Sequence, residues 1–496
     1  MSRGADEPLA RRALSLAAAN ALDYALQLLL PVVLVRQLTP ADVGGYRLLW
    51  LVAGTVMAVV TETMAGSLYY FLPRSERTAK RLYINQTLLY LTAAGLLAAW
   101  AVSGFDPWLP GTVRALSHPE GLLPAFVLLW VIGSLLDLIG SAEERIAWQA
   151  KTTIGLSLLR AVTLSMVALL TRRLEPVLLA LLGFVAFKVV VLLGYVARYH
   201  GLRGPFLRKE TFAEQLRQSA PFGLAGALYG LRAQSDQWVA TALFSMGSFA
   251  SLSIAALLAP VVHVCRKSVL QVFLPGVSRL QAAGDLAGML ELNSQGNVMV
   301  AALVYPVLVF AFTFSDDLVT IVFTATYANA APVMRVYIVG MFALVVEVAT
   351  LRLLLRQGGF SVALSVVALV FSVAISWWSA HAFGLAGAAL GSVSAIYLEL
   401  LGTLWRISHL TGIPMRKLQN WKSLALLSLC AVLAGSVAWA VVREVLESSA
   451  PLVRATTGAA VLGLAYIAML ALSRMGRSWR PVLEGVRGVL MRSARP

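Results

Sequence analysis

Long, continuous runs of apolar residues follow one another along the chain and are separated by short polar clusters. A helix needs ~20 mostly apolar residues to cross a hydrocarbon core of ~30 Å. At that length the pattern predicts fourteen membrane-spanning helices, at residues 13–36, 46–72, 83–104, 122–142, 153–171, 176–199, 220–244, 248–270, 297–315, 333–355, 361–380, 385–407, 423–443 and 452–473. Helices are favoured over a transmembrane β-barrel because barrel strands would alternate apolar and polar residues over ~10 positions.

The composition agrees with this pattern. Apolar residues make up 59% of the 496 positions and charged residues only 13%, and the mean hydropathy is +0.78. Soluble domains carry about 25% charged residues, so a soluble multidomain enzyme is excluded. The two cysteines, Cys265 and Cys430, both lie in apolar runs, which excludes a disulfide framework and a CxxC metal or redox site. The sequence therefore predicts an all-α polytopic membrane protein.

The distribution of basic residues predicts the orientation. The chain has 40 Lys and Arg against 24 Asp and Glu, a net charge of +16. When the loops are counted in two alternating sets, the set with both termini holds 29 basic residues and the other set holds 8. Cytoplasmic loops carry the excess of Lys and Arg, so both termini are expected in the cytoplasm. Two outer loops, with Arg172-Arg173 and with Arg443 and Arg454, are exceptions.

The loops and motifs argue against an enzyme. Membrane glycosyltransferases and polymerases need a sizeable loop or domain to hold catalytic carboxylates, and no predicted loop is of that kind. The acidic pair Asp316-Asp317 is interpreted as a solvated loop start and not as a metal or acid/base site. A phosphate-binding G-x-x-x-x-G-K-[ST] loop is also missing, so the chain is not expected to hydrolyse ATP.

A short repeat indicates that the chain is built from two halves. The second span ends in Phe71-Leu72-Pro73 and the eighth in Phe273-Leu274-Pro275, at equivalent places in two sets of six spans. An internal duplication with parallel repeats accounts for this match. The predicted organisation is an N-lobe at 1–200 (spans 1–6), a cytoplasmic linker at 201–219, a C-lobe at 220–408 (spans 7–12), two additional spans at 409–473 and a basic cytoplasmic tail at 474–496.

Several ionisable and polar side chains fall inside the predicted spans. An ionised side chain at mid-bilayer is unfavourable by ~2.5–3.5 kcal/mol, so each should face a partner or a watery cavity. Two spans carry such residues on one helical face, at spacings of three and four. The candidates are Asn20, Asp23 and Gln27 in span 1, Tyr229, Arg232 and Asp236 in span 7, and the single positions Glu62, Arg160 and Lys188.

These candidates have simpler interpretations too. Arg232 and Asp236 could form an internal ion pair at i, i+4 that needs no substrate. For Asp23 and Glu62, coupling to a proton or a sodium ion competes with interhelical hydrogen bonding. Asp137, Glu347 and Glu399 are further acids within spans.

Several segments resemble the polysaccharide (O-antigen) flippases of the multidrug/oligosaccharidyl-lipid/polysaccharide exporter superfamily. They are Pro31 to Tyr46, Gly66 to Arg74, Ala220 to Asp236, Leu274 to Asp285 and Phe323 to Arg335. The resemblance covers most of spans 1–10. The stretch Thr324-Ala325-Thr326 departs from the glycine-containing form that we would expect before Tyr327.

The resemblance implies two six-helix lobes in a V shape, as in the MATE transporters, around a cationic cavity. It implies a bacterial inner-membrane protein that moves undecaprenyl-pyrophosphate-linked oligosaccharide outward by alternating access coupled to H⁺ or Na⁺, without a metal or organic cofactor. The expected partners are membrane lipid, a polysaccharide polymerase and a chain-length regulator, with no nucleic acid. Substrate binding is then expected from Arg160, Lys188, Tyr229 and Arg232, and ion coupling or polar lining from Asn20, Asp23, Gln27, Glu62 and Asp236.

Three other functions remain open. A peptidoglycan-precursor (lipid II) flippase of the same superfamily would share the cavity and the fourteen spans, but span 1 has Asp23 where a denser run of arginines would be expected. A cation-coupled drug exporter would have twelve spans and no need of cations for a pyrophosphate. A membrane glycosyltransferase or polymerase is the alternative from a different class.

Overall fold

The computed structural model describes residues 9–103, 121–201 and 205–472. All regular elements in these ranges are helical, which confirms the predicted all-α class. The predicted basic tail at 474–496 lies outside the described residues.

The helices pack into two compact units. The first comprises Met1–Ile254 and Gly359–Ser392. Its helices are α1 (Leu9–Gln37), α2 (Pro40–Met64), α3 (Leu68–Arg74), α4 (Arg77–Ala101), α5 (Leu122–Gly133), α6 (Leu136–Ala142), α7 (Ile146–Thr171), α8 (Leu174–His200), α9 (Lys209–Ala233), α10 (Ser235–Leu243) and α11 (Met246–Ala255). One cluster of its apolar core contains Leu68, Leu72, Ile84, Leu91, Leu135 and Ile139.

The second unit comprises Ala255–Gly358 and Val393–Pro496. Its helices are α12 (Ala259–Ala282), α13 (Leu286–Thr313), α14 (Ser315–Phe323), α15 (Ala330–Leu344), α16 (Ala349–Leu354), α18 (Trp421–Leu446) and α19 (Pro451–Leu472), and α17 (Gly358–Thr411) is divided between the two units. Its core includes Val300, Val304, Leu308, Ile338, Leu427 and Leu462. These boundaries differ from those of the predicted lobes, which remain a prediction based on the repeat.

The helices account for the fourteen predicted spans. Eleven of those that the structure describes are long and apolar enough to cross a membrane. One of them, α17, has 54 residues but turns sharply at Gly384, where φ is 63° and ψ is −144°, so it supplies two spans. Glycine suits this point because a side chain would clash with the backbone at positive φ. The shorter α15 and the less apolar α9 complete the set.

The two parts of α17 that meet at Gly384 pack closely within the first unit. The Ser376 hydroxyl donates to the Ala388 carbonyl at 2.8 Å, and the Ser379 hydroxyl donates to the Gly387 carbonyl at 2.7 Å. A Cβ on Gly391 would lie 2.2 Å from the Ser372 carbonyl oxygen. Small residues let membrane helices approach in this way, so Gly387 and Gly391 serve the packing of the two parts of α17.

Several helices begin earlier than predicted, and α9 is one of them. Span 7 was expected from residue 220, but α9 begins at Lys209, inside the segment predicted as a linker. A polar stretch is not detected by a search for apolar runs. The structure shows what holds it: the buried Gln215 amide donates to the hydroxyls of Ser67 and Thr87, at 2.8 and 3.0 Å.

Candidate functional site

A cavity of about 200 Å³ lies within the first unit, among α1, α2, α5, α6, α7 and α8. Its lining includes four residues that the sequence analysis selected. They are Asp23, Gln27, Arg160 and Lys188. The indole rings of Trp50 and Trp130, with centroids 4.8 Å apart and nearly perpendicular, form part of the wall. Folding therefore brings candidates from spans 1, 5 and 6 to one place.

The first charged pair joins α1 to α7. The Arg160 Nη2 atom donates to the Asp23 Oδ1 atom at 3.2 Å, and the Ser157 hydroxyl, one turn earlier on α7, donates to the same oxygen at 2.5 Å. The Gln27 amide donates to the Asp23 Oδ2 atom at 2.6 Å, which the i, i+4 spacing on α1 allows. Both carboxylate oxygens are thus hydrogen-bonded, which offsets the loss of hydration.

The second charged pair joins α6 to α8. The Lys188 Nζ atom lies 2.7 Å from the Asp137 Oδ2 atom and 4.8 Å from the centroid of the Trp130 ring. Asp137 is placed by the break between α5 and α6, since it lies in the first turn of the short α6. Gln149 of α7 fixes that turn, because its amide donates to the Leu136 carbonyl at 3.2 Å and accepts from the Gly140 N–H at 3.1 Å.

The cavity therefore holds two basic and two acidic groups as paired charges. Such pairs within membrane helices mark substrate or ion pathways. Chemically, the basic groups can bind phosphate or carboxylate oxygens, provided that the acids release them, and the acids can bind a proton or a cation.

The predicted residues of span 7 lie elsewhere in the first unit. Arg232 and Asp236 are buried, with 4% and 1% of their surface exposed, and neither lines the cavity described above. The Ser392 hydroxyl donates to the Asp236 carboxylate at 2.7 Å. The Arg232 guanidinium lies 5.1 Å from the centroid of the half-exposed Tyr229 ring. The role of these three residues in a lumen remains a prediction.

The two other polar candidates are not part of this cavity as described. Asn20 is exposed on α1, one turn before Asp23. Glu62 lies in α2, and its side chain is outside the described residues, so its expected role in coupling remains a prediction.

The charge count included Arg47 with the outer loops, although the predicted second span, 46–72, contains it. In the structure Arg47 lies within α2, and its Nη2 atom is buried with no hydrogen-bond partner among the described residues. The signal was present in the sequence: Thr39 before Pro40 marks a helix start. The Asp42 N–H donates to the Thr39 hydroxyl at 3.2 Å, and that hydroxyl donates to the Asp42 carboxylate at 2.8 Å.

The second unit has a charged cavity of its own, of about 350 Å³. Arg266 lies in α12, and its Nη1 atom is 3.2 Å from the Glu347 Oε2 atom. The other Glu347 oxygen accepts from the N–H of Ala349 at 2.7 Å and of Thr350 at 3.1 Å. His263 is half-buried and contributes to the lining.

Comparison by sequence finds no matching protein-family model and no matching curated protein. Comparison by structure does find relatives. The lipid II flippase MurJ in an inward closed conformation superimposes with a TM-score of 0.72, at 12% identity, over 94% of this chain and 99% of that one.

Two MATE transporters are also similar in structure. An inward-facing multidrug resistance transporter of the MOP superfamily gives a TM-score of 0.59 at 14% identity, over 79% of this chain and 96% of that one. A Vibrio cholerae MATE transporter gives 0.50 at 12% identity, over 82% and 96%. The chain thus has the fold that the lipid II flippase MurJ shares with the MATE transporters of the MOP superfamily.

Proposed function

We propose that the chain is a flippase that carries undecaprenyl-pyrophosphate-linked oligosaccharide repeat units across the bacterial inner membrane, for O-antigen, capsule or exopolysaccharide synthesis. The observation that carries this proposal is the presence of two basic side chains, Arg160 and Lys188, on one cavity inside a unit of membrane-spanning helices. Neither charge is needed to hold an apolar bundle together, and each is unfavourable in hydrocarbon unless it faces a partner or a watery cavity, so ionisable residues at such positions favour a role in transport.

The pair of basic groups suits a diphosphate. The guanidinium of Arg160 offers a planar set of donors that can bind two phosphate oxygens, whereas the ammonium of Lys188 acts as a compact charge. The cavity of about 200 Å³ is below the ~300–1,000 Å³ of pockets that enclose a drug-sized ligand. It can hold the diphosphate alone, so the saccharide and the polyprenyl chain would lie outside it.

Asp23 is the residue to which we assign ion coupling. Its carboxylate receives three side-chain hydrogen bonds, one of them from Arg160. Uptake of H⁺ or Na⁺ by this carboxylate would weaken its hold on Arg160 and free the guanidinium for a phosphate group. Release of the ion would restore the pair and expel the phosphate, which couples the two movements.

The function is tested with the purified protein in phospholipid vesicles that contain the polyprenyl-pyrophosphate oligosaccharide. Wild-type protein should flip this lipid, faster under an imposed H⁺ or Na⁺ gradient. Asp23→Asn should flip it at a low rate that does not respond to either gradient. The matched control is Asp285→Asn, because Asp285 caps α13 through its bond to the Gly288 N–H, and asparagine caps a helix equally well.

Two outcomes would count against this assignment. If wild-type protein flips no polyprenyl-pyrophosphate lipid, the proposed function is wrong. If Asp23→Asn responds to the gradient as wild type does, the coupling site lies elsewhere, and Asp236 and Glu62 are the next acids to replace.

A lipid II flippase is the second candidate. The observation that favours it is the superposition on MurJ over 94% of this chain, the most complete of the three comparisons. The same vesicle assay separates the two functions when lipid II replaces the oligosaccharide lipid. Flipping of lipid II at the higher rate would favour the second candidate.

We further propose that both termini are cytoplasmic and that a polymerase and a chain-length regulator work with the flippase. The orientation follows from the charge count and predicts the result of reporter fusions. A fusion at residues 202–204 should report the cytoplasmic side, and a fusion within 324–329, between α14 and α15, should report the outer side. The opposite result at 202–204 would reverse the orientation and the direction of transport.

A further inference from the structure

The two ion pairs of the first-unit cavity differ in exposure. In one pair the side chains of Arg160 and Asp23 are similarly covered, with 13% and 25% of their surface exposed. In the other pair the Lys188 side chain is 5% exposed, whereas the Asp137 side chain is 60% exposed. In this pair the basic side chain of Lys188 is buried, whereas the acidic side chain of Asp137 is largely exposed.

The pairs also differ in how firmly the acid is held. Asp23 accepts hydrogen bonds from Gln27, Ser157 and Arg160. Within the part of the chain that the structure describes, the Asp137 carboxylate accepts one side-chain hydrogen bond, from Lys188. The Asp137 side chain is 60% exposed where it lines the cavity, so breaking that bond leaves no buried carboxylate without a partner.

Lys188, in contrast, needs a counter-ion because its ammonium is buried. The apolar stem of Lys188 packs against α5. A Cβ added to Gly133 would be in van der Waals contact with the Lys188 Cδ atom, and the ammonium faces the Trp130 ring. A buried ammonium that loses its counter-ion is strongly disfavoured. The geometry therefore requires that some anion always accompanies Lys188, while it allows that anion to change.

We propose that Asp137 is a displaceable counter-ion, which neutralises Lys188 when the cavity is empty and moves aside when a phosphate oxygen of the substrate takes its place. This inference rests on the proposed function, because it assigns a regulatory residue to the same cavity. The two pairs then open by different means: Asp23 releases Arg160 on ion uptake, and Asp137 releases Lys188 by exchange with the incoming anion.

This exchange has a kinetic consequence. After the substrate leaves, the empty transporter returns with Lys188 neutralised by Asp137. An asparagine in place of Asp137 competes less well with phosphate for Lys188. It also cannot neutralise the Lys188 ammonium when the empty transporter returns. Asp137→Asn should therefore bind the anion more tightly and turn over more slowly, so that KM and kcat fall together.

The test uses purified full-length protein and inorganic pyrophosphate as the probe, with binding measured by calorimetry and transport measured in vesicles. Asp137→Asn should bind pyrophosphate about fivefold more tightly than wild type, a change of ~1 kcal/mol, because the probe no longer competes with the Asp137 carboxylate for Lys188. Its kcat should fall at least tenfold. Asp137→Glu, which keeps the charge, should restore most of the turnover.

The matched control is Asp316→Asn in the second unit. Asp316 is 67% exposed and is paired with Arg335, so it resembles Asp137 in exposure and in partner type, but it lies at the start of α14 and does not line the first-unit cavity. This variant should bind and transport as wild type does.

The outcomes separate this inference from the proposed function. If wild-type protein binds no pyrophosphate and flips no lipid, the proposed function fails. If wild type binds and flips but Asp137→Asn has unchanged affinity and unchanged kcat, the counter-ion role is wrong and the proposed function stands. A loss of affinity in Asp137→Asn would also overturn the inference, because it would show that Asp137 supports binding.

Discussion

Replacement of Lys188 by methionine is expected to weaken pyrophosphate binding by roughly 10- to 100-fold and to lower the flipping rate accordingly. A hydrogen bond to a charged group contributes ~1.5–3 kcal/mol, and 1.4 kcal/mol is a factor of ten in affinity. Methionine keeps the apolar stem against α5 while removing the ammonium. Folding should be preserved, because the acid left behind, Asp137, is 60% exposed and lines the cavity, so no buried carboxylate is left without a partner.

Binding calorimetry and vesicle transport measure this effect, and the amount of folded protein in the membrane serves as a check. Lys151→Met is the matched control, since Lys151 is exposed on α7. It removes the same charge from the same unit and should change neither quantity. If Lys188→Met bound pyrophosphate as wild type does, Lys188 would be part of a structural ion pair and the cavity would lose its assigned ligand.

Gly391→Ala is expected to lower the free energy of unfolding by about 1–3 kcal/mol, the range for overpacking a well-packed site. A Cβ at this position would lie 2.1 Å from the Ser376 hydroxyl oxygen and 2.2 Å from the Ser372 carbonyl oxygen. The second of these atoms belongs to the backbone, so the two parts of α17 must separate. The loss should exceed the gain of roughly 0.5–1 kcal/mol that alanine brings to a helix interior.

Denaturant or thermal unfolding in detergent measures this change. Gly194→Ala is the matched control, because Gly194 is also inside a helix, α8, and a Cβ there would meet no atom within 4 Å. The control should be neutral or slightly stabilising, so the two glycines should give opposite signs. Equal effects at both positions would show that the hairpin at Gly384 is loosely packed.

One physical reason allowed three of the site residues to be selected from the sequence, namely Asp23, Arg160 and Lys188. A charge within an apolar run is conspicuous, because hydrocarbon tolerates it only with a partner or water. Asp137 stood in the same runs and was named only as a further acid, since nothing in its local sequence indicates that Lys188 would lie against it. The partner of a charge in another span depends on helix packing and not on local spacing.

Arg47 and α9 show the opposite limitation. Both concern polar residues in the first turns of a helix: the search for apolar runs began span 7 only at residue 220, and the charge count placed Arg47 in a loop although it lies within predicted span 2. The Thr39-Pro40 helix start would have placed Arg47 correctly. The start of α9 has no local sequence signal as clear as this one. Its polar first turns are held by tertiary hydrogen bonds, from the Gln215 amide to Ser67 and Thr87.

The sequence by itself determined the all-helical membrane class, a set of about fourteen spans and the polar residues within them, because membrane insertion depends on the length and polarity of each segment. Only the tertiary structure decided which charges meet. Asp23 with Arg160 and Asp137 with Lys188 are separated by tens of residues or more, and their pairing on one cavity results from the packing of α1 on α7 and of α6 on α8. The difference in burial between Lys188 and Asp137 likewise results from the packing of several helices, and it cannot be deduced from either segment alone.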